Sequence, residues 1–155
     1  LGDPVRKLEH AHGQLTKLAL DIRQLVHADG RLSTKERKRL MAKLVSLRDG
    51  LFEHFANEEE GLFPFLRKNL PSTAPTVDRL ESAHDTICGA LVRLAHLTEE
   101  DGAGAASRAS LHALYERFEV AYTEHSQAEA ALFDELGRTL DEPRRAELAE
   151  ILRGL

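Results

Sequence analysis

The sequence holds a single cysteine, Cys88, so neither an intrachain disulfide framework nor a cysteine-built zinc knuckle is available to it. A reducing cytoplasm is the default expectation for such a chain. No stretch of about 18 apolar residues occurs, and the N-terminus lacks the basic-then-apolar pattern of a secretory signal, so no membrane contact is expected. Positive charge is not in excess. Against 26 Asp and Glu stand 21 Lys and Arg, a formal net charge of −5, which argues against nucleic acid as a partner. Runs of β-branched residues are missing too, which leaves no candidate strand.

What is present fits one soluble domain with a sizeable core: 155 residues, of which 42% are hydrophobic and 30% charged. Five segments read as helical. The first spans about Pro4 to Val26 and ends in the turn-like His27-Ala28-Asp29-Gly30. Ser33 with Glu36 forms a capping box that opens a long helix to about Asn69, with Gly50 as a mild weak point. Leu70 to Pro75 reads as a linker, and Thr76 as the cap of a third helix reaching about Thr98. Beyond a Gly- and Ala-rich loop from Glu99 to Ser107, a fourth helix runs to about Leu140. Asp141 and Pro143 then start a short amphipathic tail helix.

The two halves echo each other. Leu8-Glu9-His10-Ala11-His12 aligns with Leu80-Glu81-Ser82-Ala83-His84, and Glu53-His54 followed by Glu58 aligns with Glu124-His125 followed by Glu129. The seven-residue apolar seams give these matches meaning. Helix two reads Leu40, Leu44, Leu47, Leu51, His54, Glu58, Leu62, Phe65, with His and Glu where leucine is expected. Helix four places His125 and Glu129 in the same way, and helices one and three each place one histidine, His12 and His84, on the seam. Counting residues from the connections brings all four histidines to one layer of an antiparallel arrangement.

Burying two carboxylates costs several kcal/mol per ion unless each is paired or coordinated. No Lys or Arg stands on the seams near this layer, so salt bridges do not answer the cost. Cations do: imidazole with carboxylate suits iron, manganese or zinc, and a helical core favours a metal pair bridged by carboxylates. The remaining histidines read differently. His10, His96 and His112 fall off the seams, and His27 sits where a cation suits a helix C-terminus. Cys88, one turn after His84, reads as a small buried hydrophobe, and Tyr122, one turn before His125, as core. Glu9 and Glu81 precede proposed ligands by three residues and are placed either to orient an imidazole or to face solvent.

These residues resemble the hemerythrin/HHE cation-binding family over most of the chain, from about Val5 to Leu136. His54-Phe55-Ala56-Asn57-Glu58-Glu59-Glu60-Gly61-Leu62-Phe63-Pro64 is similar to the family's His-x-x-x-Glu-Glu-x-x-Leu-Phe-Pro stretch, and His125 to Glu129 to its second His-x-x-x-Glu. The resemblance implies an all-α, up-down-up-down four-helix bundle, expected over residues 1–140; the tail, residues 141–155, reads from its own pattern as a short helix that caps the bundle or forms a homodimer contact. It implies a non-haem di-iron centre held by His12, His54, Glu58, His84, His125 and Glu129, and a small ligand such as dioxygen, nitric oxide or peroxide. We expect His12 with His54, and His84 with His125, to hold the respective irons, with Glu58 and Glu129 bridging. Oxygen-carrying members have a further histidine one turn along the third helix, where this chain has Cys88. The six-residue set is more similar to bacterial di-iron proteins of nitric oxide stress and iron–sulfur cluster repair, which leaves iron storage or donation as the alternative. A ferritin-like site is disfavoured, because it needs Glu-x-x-His on two helices and lone glutamates on the others.

Replacing His54 and Glu58 together by Ala should abolish stoichiometric metal binding, whereas His10→Ala should leave metal content unchanged. Elemental analysis per chain checks both; retention in the first variant, or loss in the second, would mean that the wrong seam was chosen.

Overall fold

The computed structural model describes residues 3–27, 32–99 and 105–155, and within them the chain is helical with no strand. The Gly30 turn and most of the Gly-rich loop lie outside the described residues. Helix α1 (Pro4–Val26) starts at Asp3, whose carboxylate accepts from the Val5 amide at 3.0 Å, with Pro4 in the first turn where its missing N–H costs nothing. Helix α2 (Thr34–Asn57) carries the full Ser33–Glu36 capping box. A π-helical turn (Glu58–Leu62) follows without a break and leads into α3 (Phe63–Asn69). A 3₁₀ turn (Pro71–Thr73) precedes α4 (Ala74–Glu99), and α5 (Ala105–Thr139) and α6 (Glu142–Arg153) complete the order. Asp141 caps α6 by accepting from the Arg144 amide at 3.0 Å.

Two expectations are corrected. The second long helix is not regular to Asn69: Pro64 lacks an N–H, and its ring presses on the carbonyl four residues back, so the ladder widens ahead of it and Phe63 N–H bonds to the Glu58 carbonyl instead. Gly50, by contrast, stays helical. A Cβ there would stand 2.6 Å from Leu15 Cδ2, so the glycine lets α1 approach α2 closely. Thr76 does not cap α4, which begins two residues earlier, where the Ala74 N–H bonds to the Pro71 carbonyl.

Four long helices pack in a ring, α1 on α2 and α5, and α4 on α2 and α5. The apolar core falls into two clusters. One gathers Ile22, Leu44, Leu51, Ile87, Leu91 and Phe118 among others, and the second Leu8, Leu62, Phe65, Val77, Leu132 and Leu136. Between them, along every one of the four helices, lie the polar seam residues. Helix α6 packs on α1 and on the π-helical turn, held by Arg145, which pairs with Asp3 at 2.8 Å and donates to the Gly137 and Leu140 carbonyls. Its apolar side chains press on Gly61, where an added Cβ would meet Leu152 Cδ2 at 2.9 Å and Leu155 Cδ1 at 3.1 Å. No described helix is long and apolar enough to cross a membrane.

Gly61→Val should therefore lever α6 off the turn and cost about 1–3 kcal/mol, as overpacking does. Chemical denaturation against the parent reads this out; an unchanged midpoint would show that α6 is not seated there.

Candidate metal centre

The helices deliver the six seam residues to one place. His12 projects from α1, His54 from the last turn of α2, His84 from α4, and His125 with Glu129 from α5; Glu58 opens the π-helical turn. Five of them are buried, and the His12 side chain keeps 14% of its surface. Their donor atoms fall into two groups, His12 with His54 and Glu129, and Glu58 with His84 and His125, and within each group the ligand atoms lie within 4.8 Å of one another.

The contacts inside the layer are short and poorly paired. His54 Nε2 lies 2.7 Å from Glu58 Oε1 and 2.8 Å from Glu129 Oε1, and only the second has the direction of a hydrogen bond. His125 Nε2 approaches Glu129 Oε2 to 2.8 Å, while His84 Nε2 stands 3.8 Å from Glu58 Oε2 and His12 Nδ1 stands 3.6 Å from Glu129 Oε2. Both Glu58 oxygens, Glu129 Oε2, His12 Nδ1, His84 Nε2 and His125 Nε2 are buried without a hydrogen-bond partner. Native cores rarely leave such atoms unanswered. Lone pairs of imidazole and carboxylate converging on common points fit divalent cations, which accept from all of them at once.

Protonation tells the same story from the other side. Burial alone would lower the His54 imidazole, but Glu129 and Glu58 outweigh it and push it up to about 10. Burial, and then the Glu129 charge, push Glu58 up, whereas Glu129 is held well below the usual carboxylate range because His125 and His54 outweigh its own burial. His84 is pushed down to about 3 by burial and by His125 beside it, and burial lowers His12 as well. Without cations and near neutral pH, the layer keeps one proton on Glu58 and one on His54, which balances the charged Glu129, while His84 and His12 keep free lone pairs.

The surroundings fix the rings. His84 is stacked on Phe55 at 3.7 Å and 9° and flanked by Phe63 at 5.7 Å, and its Nδ1 bonds to Glu59 Oε1 at 2.8 Å. Such a carboxylate sets the tautomer and turns Nε2 toward the layer. Of the two readings left open for Glu9 and Glu81, the solvent-facing one fits. Glu81 accepts from Arg67 at 2.8 Å, and Glu9 is exposed on α1. The residue that orients an imidazole is Glu59, adjacent to Glu58, and its signal in the sequence was its place in the run Glu58-Glu59-Glu60. Cys88 is half-buried, with its thiol pushed up to about 11 by burial and by Asp85, which keeps it protonated. Of the other histidines, His10, His27 and His96 are exposed and His112 is half-buried. A cleft of about 410 Å³ between α1 and α2, lined by Lys7, Gln14, Leu15, Glu53 and Asn57 among others, reaches His54.

A ring of helices whose core gathers buried imidazoles and carboxylates, with no buried Lys or Arg among the described residues, fits a cation-binding helical protein. The family profile described as the hemerythrin HHE cation binding domain matches residues 3–136, and the chain belongs to that family. No curated protein and no solved structure gives a significant match.

The raised His54 contributes stability that is complete below its ordinary value of 6.5 and fades as pH climbs through about 10; the lowered His84 contributes stability that fades as pH falls below 6.5. Chelator-treated protein should thus melt at a lower temperature at pH 10 than near pH 6.5. Thermal scans decide it, and a melting temperature that rises across this window would contradict the proton-balanced layer.

Proposed function

We propose that this chain is a non-haem di-iron protein that binds, senses or reduces a diatomic or reactive oxygen or nitrogen species. In this reading His12 and His54 hold one iron and His84 and His125 the other, while Glu58 and Glu129 bridge. One observation carries it: each carboxylate lies against histidines of both groups. Glu58 has Oε1 beside His54 and Oε2 toward His84, and Glu129 has Oε1 beside His54 and Oε2 beside His125. Bridging is what that placement suits. The two core clusters also support an up-down-up-down bundle over residues 1–140, because the cluster that takes the late residues of α1 takes α2, the late residues of α4 and the early ones of α5, while the start of α1, the π-helical turn with α3, the start of α4 and the end of α5 share the other. Residues 141–155 then form a helix packed on the bundle.

Two irons so held would supply electrons and open positions to a small ligand such as dioxygen, nitric oxide or peroxide. The chain's own contribution is a dry, shaped site. Apolar clusters close both ends, Glu59 and the two phenylalanines fix His84, and the α1–α2 cleft gives a small molecule a way to the His54 side. Cys88, kept as a thiol, adds no ligand in place of the extra histidine of the oxygen carriers, and this favours ligand capture or reduction over simple carriage. The lone cysteine suits a reducing cytoplasm.

The first measurement is metal content with an absorption spectrum before and after reduction. About two irons per chain, as a carboxylate-bridged helical site takes, with a ferric spectrum that bleaches on reduction, are expected. One zinc or none would overturn the redox function. With iron in place, repeated turnover of nitric oxide or peroxide by added reductant marks an enzyme, stoichiometric uptake marks a binder or sensor, and ready loss of iron to a weak chelator marks an iron donor.

A further inference from the structure

The chain contains two tyrosines and no tryptophan, and both tyrosines lie on one line of rings leading away from the candidate metal centre. The Tyr122 ring stacks on His12 with centroids 5.8 Å apart and planes at 19°. Phe118 stacks on Tyr122 at 5.5 Å, and Tyr115 follows at 5.7 Å from Phe118. His27, exposed at the C-terminal end of α1, meets Tyr115 edge-on at 5.9 Å. Both phenols are buried, 4% and 1% exposed, and each needs a partner for its hydroxyl: Tyr122 with Thr16 Oγ1 at 3.0 Å, Tyr115 donating to the Ala19 carbonyl at 2.7 Å. Phenylalanine would fill the same space with no hydroxyl to satisfy, so packing alone does not account for the choice.

We propose that Tyr122 and Tyr115 form a one-electron relay between the di-iron centre and the protein surface at His27. The source of oxidising equivalents rests on the di-iron reading; the path does not. Tyr122 gives one electron to the oxidised centre, and its phenolic proton passes to Thr16 Oγ1 as the threonine's own proton leaves to solvent, so that a neutral phenoxyl radical remains. Thr16 is only half-buried, which gives that proton its exit. Tyr115, seven residues and about 10 Å along the same helix, refills Tyr122 past Phe118, and Tyr122 recovers a proton by the route through Thr16. As Tyr115 loses its electron, its phenolic proton shifts along the bond to the Ala19 carbonyl, and it shifts back when the electron is restored. A small one-electron reductant at the surface, a thiolate or an ene-diol, returns the electron and is itself oxidised by one. The net change is one electron moved inward, with no proton gained or lost.

The path is testable with the full chain in the presence of zinc, which has no redox chemistry of its own. A photogenerated tris-bipyridine ruthenium(III) oxidant is too bulky to reach buried rings, so oxidation must enter from the surface. The phenoxyl radical, followed by transient absorption and electron paramagnetic resonance, is expected on Tyr122. Tyr115→Phe keeps the ring and removes the oxidisable phenol; it should slow radical formation several-fold with zinc content and helicity preserved. Tyr122→Phe should leave no persistent radical. An unchanged rate in the first variant, or a persistent radical in the second, overturns the relay. Iron content measured separately keeps the two ideas apart: a chain that takes up no iron yet shows the Tyr115 dependence retains the path and loses the di-iron reading, and an iron-loaded chain without that dependence does the reverse.

Discussion

Two carboxylates, Glu58 and Glu129, are fully buried in a helical core that, among the described residues, buries no lysine or arginine. That charge is the constraint around which the molecule is arranged. Each ion would cost several kcal/mol if left alone, so everything near it is an acceptor-rich answer to the question of which positive charge arrives. Protons are one answer, with His54 taking one. Divalent cations are the other, and four imidazoles contributed by four helices make the layer suited to them.

The rest of the fold serves that layer by closing it from both ends. The apolar clusters supply the burial that holds the helices together, and the small residues let them approach, with Leu15 seated against Gly50 and α6 seated against Gly61. The widened turn at Glu58 sits where the carboxylate leaves α2, and the proline that forces it lies six residues further on. Irregularity in an otherwise ordinary helix thus falls at the point where the site needs a side chain placed.

Much of this was legible in the sequence because periodicity is a physical record of burial. His54 and Glu58 stand on a leucine seam, and so do His125 and Glu129, and the internal echo between the halves put His12 and His84 at the matching level. The structure does bring these six side chains together, and the capping box at Ser33 and the cap at Asp141 form as their residue types dictate. What stayed hidden depended on departures from a uniform pitch. A seam drawn at one constant angle could not register the π-helical turn, although Pro64 was in plain view. It also kept Glu59 off the face where an imidazole partner was considered, and left Glu81 open to either role, where a surface arginine takes it. The line of rings from His12 to His27 crosses between α1 and α5, and no single helix carries it.

The two donor groups differ in one respect that has a consequence for time rather than for geometry. His12 alone among the six keeps part of its surface, and the cleft between α1 and α2 reaches its neighbour His54, whereas Glu58, His84 and His125 are enclosed. On the proposed di-metal reading, a cation entering from water would meet the first group before the second, and one leaving the second would pass the first. If the two groups hold the metal pair proposed above, filling and emptying would follow a queue: a half-occupied protein would keep its ion on the enclosed side, and the outer position would be the one open to exchange.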